Sequence, residues 1–180
     1  MNEFYKVLIC ISALLPILFM SGCSQKNNGG FSLSKENDTL YYLNLKTDSG
    51  IDKWELPYPV YRFETGDING DGSIDALVGV EKTTRFDPVV AKRIFIFQNI
   101  DGKVRPLWLG SRLGKPIEDF TVVREDSCTY IRSIEKERDG KFLVADYCWD
   151  SFGVKFIRYI CREFDFESAK EYLVFNYEKI

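Results

Sequence analysis

Histidine is missing from this sequence altogether, since none of its 180 residues is one. Histidine is the side chain whose charge changes most readily near neutral pH, and it is the usual base beside a serine or cysteine nucleophile. Its absence excludes Ser-His-Asp and Cys-His catalysis and any zinc site with a histidine ligand. Catalysis would therefore have to depend on carboxylates, lysines or thiols alone.

An excess of positive charge and a long apolar run are also lacking. Lysine and arginine number 24 against 27 aspartates and glutamates, which gives a net charge of −3 at pH 7. That balance offers no electrostatic basis for binding nucleic acid or an anionic membrane surface. The apolar run at residues 7–19 is shorter than the roughly 20 residues that a membrane-spanning helix needs. We expect no nucleic-acid partner, and we interpret the run as a targeting segment.

The N-terminus has the layout of a bacterial signal peptide. Lys6 precedes the apolar run, and Met20-Ser21-Gly22-Cys23 follows it. This tetrapeptide resembles the lipobox of bacterial lipoproteins, Leu-(Ala/Ser)-(Gly/Ala)-Cys, with methionine in place of the usual leucine. The resemblance implies cleavage before Cys23 and attachment to Cys23 of a lipid that holds the mature protein on a membrane. An uncleaved helical anchor is the alternative.

The same resemblance sets the expected boundaries and location. Residues 1–22 are predicted to be a signal peptide, residues 23–30 a lipid-anchored tether, and residues 31–180 a single β-rich domain. Ser24, rather than an aspartate, follows the cysteine, which favours the outer membrane if the cell is Gram-negative. The composition is similar to that of small lipoproteins of the Bacteroidota type. We therefore expect a cell-envelope protein.

Short apolar segments separated by turn residues indicate a mainly β protein. Strand-like segments lie at residues 39–45, 93–100, 103–109, 120–123, 129–135, 142–149 and 154–164. Asp-Gly pairs at 71–72, 101–102 and 139–140 mark tight turns. This pattern predicts an antiparallel meander, either partly propeller-like or a single curved sheet. The tail from residue 167 fits either a helical turn or a strand.

Cysteine is too scarce for a disulfide scaffold, since only Cys128, Cys148 and Cys161 follow residue 23. A two-residue turn at positions 139–140 would place Cys148 opposite Ile131 and Cys128 on the other face of the sheet. A similar turn before the next strand would leave Cys161 ~20 Å from Cys148 along the strands. These distances exceed disulfide range, so the sequence predicts three free thiols.

The most informative stretch is the loop at residues 67–75, Asp-Ile-Asn-Gly-Asp-Gly-Ser-Ile-Asp. Ca²⁺ takes six to eight hard oxygen ligands, and closely spaced aspartates in a sharp turn can supply them. The predicted ligands are Asp67, Asn69, Asp71, the Ser73 carbonyl and Asp75. An EF-hand also needs a glutamate at the twelfth loop position, which is Val78 here, so the loop is not an EF-hand.

Strand-type segments flank the loop on both sides. A strand–loop–strand unit with Asp-x-Asn-x-Asp-Gly-x-x-Asp resembles the calcium loops of FG-GAP and VCBS-type β-propeller repeats. That resemblance implies a structural calcium ion that ties two strands together. The alternative is a solvated turn without metal, because aspartate, asparagine and glycine favour turns in any case.

Two further functions stay open beside a non-catalytic binding or accessory role for an envelope protein. Trp54, Trp108 and Trp149 are possible ligand-facing aromatics, which would suit a surface glycan-binding module, although cross-strand aromatics also build sheet cores. A histidine-free hydrolase would need two facing carboxylates, and no spacing in the sequence selects a pair. The expected partners are the membrane, through the lipid, and an envelope protein or glycan.

The lipobox generates the first testable prediction. Cys23→Ser should accumulate as an unprocessed precursor that takes up no labelled palmitate, because the thiol that receives the lipid is gone. Gel mobility and metabolic labelling measure both properties, and Cys10→Ser, within the apolar run, is the matched control that should mature normally. Normal processing and labelling of the Cys23→Ser chain would contradict the assignment.

Overall fold

The computed structural model describes residues 29–85, 87–110, 113–125 and 127–174. The predicted signal peptide and Cys23 lie outside these ranges, so both stay predictions. The described residues form strands β1 Phe31–Asn37, β2 Leu40–Thr47, β3 Gly50–Leu56, β4 Val60–Gly66, β5 Asp75–Thr84, β6 Asp87–Ile100, β7 Lys103–Leu109, β8 Ile117–Glu125, β9 Cys128–Lys136, β10 Phe142–Asp150 and β11 Gly153–Phe164, followed by helix α1 Phe166–Val174.

The strands form three antiparallel sheets in chain order. The first sheet is β1-β2-β3, the middle sheet is β4-β5-β6-β7, and the third sheet is β11-β10-β9-β8. Each is a meander in which neighbours in sequence are neighbours in space. The predicted mainly β, antiparallel meander is therefore confirmed, and within the described residues the sheets do not close into a ring.

The middle sheet is buried on both faces. Towards the first sheet lies one core: Phe31, Leu43, Leu45, Leu56, Ala76, Val78, Val80, Phe95, Phe97 and Val104. Towards the third sheet lies another: Ile68, Leu77, Ile94, Ile96, Leu113, Ile117, Phe120, Ile131, Leu143, Ala145 and Tyr147. Double burial explains why β5 is buried without a break from Asp75 to Val80 instead of alternating with polar residues.

Helix α1 covers the other face of the third sheet. Ala169 is buried there against Ile134 and Val144, with partly buried aromatics around them. Asp165 caps the helix, since its Oδ1 accepts a hydrogen bond of 3.0 Å from the backbone N–H of Ser168. The ambiguous tail is thus helical as far as it is described. No helix in the described ranges has the length and apolarity to cross a membrane.

The hairpin between β9 and β10 differs from the predicted one. Glu137 N–H bonds to the Lys141 carbonyl at 2.8 Å, which leaves a three-residue loop that ends at Gly140. Gly140 has φ +84°, the left-handed conformation of a three-residue hairpin loop. Tyr147, not Cys148, therefore lies opposite Ile131. The predicted two-residue turn was wrong, because an Asp-Gly pair suits both loop lengths.

This shift changes the argument about the thiols but not its outcome. With the observed register, Cys148 falls on the same sheet face as Cys128, so the predicted separation by faces was wrong. Along β10 and β11 the register starts as predicted, with Asp150 opposite Gly153, and then shifts at three irregularities. Cys161 ends opposite Val144. All three thiols are free.

A buried ion network lies on the α1-covered face of the third sheet. Arg132 and Asp146 are cross-strand partners, both fully buried, and Arg132 Nε donates to Asp146 Oδ1 at 2.7 Å. Arg158 Nε donates to Asp146 Oδ2 at 2.9 Å, and both guanidinium groups also bond to Glu125. Burial opposes the charge on Arg132, but its bonds to Asp146 outweigh that and raise the pKa of Arg132.

The network generates a stability prediction. Asp146→Asn should lower the free energy of unfolding by about 3 kcal/mol, because it removes the negative charge that the buried Arg132 shares with the more exposed Arg158. Asp150→Asn, on the same strand, should change it by less than about 0.5 kcal/mol, since Asp150 is exposed and its side chain contacts the neighbouring Ser151 hydroxyl at 3.2 Å and the exposed Lys155 at 3.7 Å. Urea unfolding measures both, and equal effects would show that the network contributes no more than a surface pair.

Candidate functional site

The loop predicted to bind calcium joins β4 to β5 in the middle sheet. The ladder between β4 and β5 ends at the loop, where Gly66 lies opposite Asp75. Ile68, inside the loop, is buried in the core between the middle and third sheets. The predicted strand–loop–strand arrangement is present, and the loop is fixed to the core at one side chain.

Asp67 organises the first half of the loop. Its Oδ1 accepts a hydrogen bond of 2.8 Å from the Gly70 N–H, and its Oδ2 accepts one of 3.0 Å from the Gly72 N–H. Gly70 and Gly72 have φ +76° and +86°, which a side chain would strain. The glycine spacing in the sequence therefore serves a chain that coils around the Asp67 carboxylate.

Asn69 and Asp71 organise the second half in the same way. Asn69 Oδ1 accepts from the Asp71 N–H at 3.0 Å, and Asp71 Oδ1 accepts from the Ser73 N–H at 2.7 Å. Asn69 Nδ2 also donates to Asp71 Oδ2 at 2.8 Å. The Ser73 N–H, with Asn69 second, lowers the pKa of Asp71. Three of the predicted ligands thus lie next to one another with oxygens already oriented by the loop's own backbone.

Asp75 differs from the other acids because it is fully buried. Its Oδ2 accepts a hydrogen bond of 3.0 Å from the Ile68 N–H, whereas its Oδ1 makes no hydrogen bond in the described structure. Burial raises the pKa of Asp75 to about 6, opposed by the Ile68 and Asn69 N–H groups and reinforced by the charges of Asp71 and Asp67. A buried carboxylate oxygen without a partner is costly unless something positive or a donor satisfies it.

The oxygen donors of the loop fit a hard cation, although their side chains are not yet arranged as a complete metal site. Among the described residues, no three Asp, Glu, Cys or His side chains are already arranged around a common point. A carboxylate oxygen that accepts one backbone N–H keeps further lone pairs for a metal ion. The unpartnered Asp75 oxygen, beside the oriented oxygens of Asp67, Asn69 and Asp71, is the feature of this structure that agrees with calcium ligation.

The three tryptophans pack against the hydrophobic cores. Trp54 lies 5.5 Å from Phe97, ring centre to ring centre, and packs against the core between the first and middle sheets. Trp108 and Trp149 pack against the core between the middle and third sheets. All three are half-buried. The most exposed aromatics among the described residues lie instead on or beside β11: Phe152, Phe156 and Tyr159.

The carboxylates that a hydrolase could use are each held by other groups of the protein. Arg62 binds Asp119, Lys92 binds Glu118, and the ion network holds Asp146. Glu135 is buried, accepts from the Ser133 hydroxyl and the Lys115 N–H, and its pKa is raised by that burial. No facing pair open to a substrate results from these contacts.

A cleft that the sequence did not reveal lies at the far end of the β5–β6 hairpin. It has a volume of about 640 Å³ and separates that hairpin from residues 113–116 and the start of β8. Its position at the opposite end of β5 from the acidic loop makes it a separate candidate for binding.

Asp75 generates a prediction for the protein in chelator. Because its folded-state pKa of about 6 exceeds that of an unfolded aspartate, Asp75 favours folding below about pH 4, and that contribution is lost as pH rises through about 6. Asp75→Asn should therefore raise the unfolding free energy by ~2 kcal/mol at mildly alkaline pH, and the gain should disappear in acid.

Asp71→Asn is the matched control, since the lowered pKa of Asp71 marks a carboxylate that stabilises the fold. It should be neutral or slightly destabilising at mildly alkaline pH in chelator. Denaturant unfolding across the pH range measures both variants. A loss of stability in Asp75→Asn at mildly alkaline pH would mean that the Asp75 carboxylate is well solvated or otherwise satisfied.

Comparison with known proteins assigns no family to this arrangement. A scan against protein-family models found no match, and a search of curated proteins found none either. The function of the chain is therefore argued from its own residues.

Proposed function

We propose that this chain is a lipid-anchored protein of the cell envelope with a structural calcium site and a non-catalytic binding role. The observation that carries the calcium site is the buried Asp75 carboxylate, whose Oδ1 has no partner while two further acids lie in the same loop. The ligands would be Asp67, Asn69, Asp71, the Ser73 carbonyl and Asp75.

Calcium suits this loop better than magnesium does. All five proposed ligands are hard oxygens, and Ca²⁺ tolerates the irregular geometry that a flexible loop provides. Mg²⁺ demands a near-ideal octahedron with shorter bonds and gives up its water reluctantly. A bound calcium ion would supply only positive charge, which offsets the repulsion among Asp67, Asp71 and Asp75.

The position of the loop explains why an ion there would stabilise the fold. The loop connects two strands of the sheet that is buried on both faces, and Ile68 anchors it in the core. Fixing the loop therefore fixes the entrance to β5, the most continuously buried strand. Calcium would act on the stability of the middle sheet rather than on a reaction.

Anchoring is supported by the lipobox and by the start of the fold. The lipid on Cys23 would leave residues 24–28 as a polar tether before the first described residues. The described part of the chain begins with a turn at Gly29 and Gly30. The Gly30 carbonyl accepts a hydrogen bond of 2.9 Å from the Lys46 N–H. The envelope location, in the outer membrane if the cell is Gram-negative, follows from the same motif and Ser24.

A second candidate, surface glycan binding, is favoured by one observation. Phe156 and Tyr159 are both partly exposed on β11, with ring centres 4.7 Å apart. Sugar rings stack on such aromatic faces, although these two planes are tilted by 53°. Retention of the protein on immobilised polysaccharide, without retention on peptide ligands, would favour this candidate over the first.

The calcium site generates a thermal prediction. The purified full chain should unfold a few degrees higher in millimolar Ca²⁺ than in chelator, since ligand at ten times its dissociation constant adds ~1.4 kcal/mol. Mg²⁺ should have a much smaller effect. Asp71→Ala should abolish the calcium shift, whereas Asp48→Ala, an exposed turn aspartate outside the loop, should keep it.

Differential scanning fluorimetry measures the midpoints, and isothermal calorimetry measures the heat of binding. Identical unfolding midpoints in both buffers, with no heat of binding, would mean that the loop is a polar turn that binds no calcium.

A further inference from the structure

The turn between β10 and β11, here called the β10–β11 tip (residues 150–153), displays one aromatic side chain to solvent. Asp150 lies opposite Gly153, so Ser151 and Phe152 form the tight turn between them. Ser151 has φ +56°, and the Phe152 N–H bonds to the Asp150 carbonyl at 2.6 Å. Phe152 is 94% exposed, the largest exposed fraction of any large hydrophobic side chain in the described ranges. Because its ring is left in water, it contributes almost nothing to the fold itself.

Two half-buried tryptophans lie behind the tip. Trp149 directly precedes the turn and lies opposite Val154. Trp108 of β7 lies against Gly153, since a Cβ at that glycine would come within 3.4 Å of the Trp108 Nε1. An indole ring combines an apolar body with one N–H donor and therefore favours the boundary between lipid and water.

The charges around the tip balance one another. Lys155 Nζ lies 3.7 Å from Asp150 Oδ2, and both side chains are exposed. Arg158, further along β11, pairs with Asp146 and Glu125. The tip therefore offers an apolar ring without net charge, which suits a zwitterionic or neutral partner better than a strongly charged one.

The tip lies at the same end of the stacked sheets as the acidic loop. Strands β4 and β8 run side by side in the same direction, since Arg62 pairs with Asp119 and Gly66 lies against Val122. In the antiparallel third sheet, β10 runs in the direction of β8. The loop that follows β4 and the turn that follows β10 are therefore at one end.

The described chain begins at this end as well. Gly29 lies against Ile74 of the acidic loop, where a Cβ at the glycine would come within 2.5 Å of the Ile74 Cβ. The chain from Cys23 to Gly29 spans at most about 20 Å, because an extended chain advances by ~3.3–3.6 Å per residue. Strand β7, against which the tip lies, is two strands from β5, or ~10 Å. A lipid on Cys23 would thus hold the bilayer within reach of the tip.

The turns of the other two sheets at this end carry exposed apolar side chains too. Ile100 precedes the turn from β6 to β7, and Ile51 follows the turn from β2 to β3. They are 46% and 63% exposed. The two turns are neighbours, since a Cβ at Gly102 would come within 3.4 Å of the Ser49 Oγ. The apolar character of this end therefore extends beyond the tip.

We propose that the β10–β11 tip inserts the Phe152 ring into the interface of the bilayer that anchors the chain, with Trp108 and Trp149 at the boundary between lipid and water. The inference rests on the lipid anchor proposed above and adds a second contact, which orients the domain. One phenylalanine binds a bilayer weakly by itself. An anchored chain meets the bilayer at a high effective concentration, so even a weak contact is occupied.

The shape of the tip favours a bilayer over a protein or a polysaccharide. A fluid lipid layer can surround a protruding ring, whereas a protein would need a matching pocket and a sugar would need a flat aromatic face. The aromatic pair that suits a sugar, Phe156 and Tyr159, lies further along β11. Asp67 and Asp71 are at the same end as the tip, so the bilayer that fits best is zwitterionic rather than anionic.

The test is fluorescence quenching of the purified full chain in zwitterionic vesicles whose lipid tails carry bromine, which quenches indole. Phe152→Trp adds an indole at the tip, and the added emission should fall by about half, because interfacial side chains lie ~5–10 Å into the bilayer. Val89→Trp is the matched control, since Val89 is 65% exposed and lies at the opposite end of the β5–β6 hairpin. Its added emission should be almost unaffected.

Phe152→Ser supplies a second measurement that adds no fluorophore. The natural tryptophans should be quenched less in this variant than in the unaltered chain, because Trp108 and Trp149 withdraw from the lipid, whereas Val89→Ser should change nothing. Equal quenching of indoles at positions 152 and 89, with no effect of Phe152→Ser, would overturn the proposal. So would a dimer or a retention on polysaccharide that Phe152→Ser abolishes, since the occupant would then be a second copy or a glycan.

Vesicle flotation separates this inference from the anchor. Cys23→Ser keeps the apolar run at residues 7–19, so it should still float with the vesicles and its tip should still be quenched. A chain that floats without quenching at position 152 would overturn this inference alone, and a chain that does not float would overturn the anchor with it. Quenching should persist in chelator below the unfolding temperature, so failure of the calcium site would leave the result standing.

Discussion

Burial of the middle sheet on both faces is the constraint on which the rest of the structure depends. Every residue of β5 from Asp75 to Val80 is buried, and β6 contributes apolar residues to both cores. A sheet enclosed in this way offers solvent only its strand ends and its edges. The acidic loop precedes the first residue of β5, and the cleft lies at the opposite end of the same hairpin. Both candidate sites therefore lie where the constraint ends.

Burial of the middle sheet also determines the charge properties of the acidic loop. Asp75 is at once the last acid of the loop and the first residue of a buried strand, so its carboxylate enters the core with its backbone. A calcium loop on a free surface hairpin would have all its acids in water. Here one acid is desolvated, which raises its pKa and ties the charge balance of the loop to the packing of the middle sheet.

The local sequence pattern predicted the strands and turns of the fold well. It predicted poorly those features that depend on contacts between distant parts of the chain. Asp101-Gly102 forms the predicted two-residue turn, with both residues at positive φ. The pair at 139–140 has the same letters but belongs to a three-residue loop, because flanking pairing rather than the dipeptide decides the length. The loop acids were identifiable from spacing alone. The burial of Asp75 was not, since it depends on packing against parts of the chain that are distant in sequence.

Strand β11 shows how the fold restricts which edges are open to pairing. It is a long outer strand with exposed aromatics, and such an edge invites neighbouring molecules to add to it. Its ladder with β10 is interrupted three times, and Glu163 sits at φ +64°, so the strand is too irregular to template a straight partner. In a concentrated solution, neighbouring copies would therefore be hindered from pairing edge to edge through β11, which lowers the tendency of this exposed strand to start fibrils.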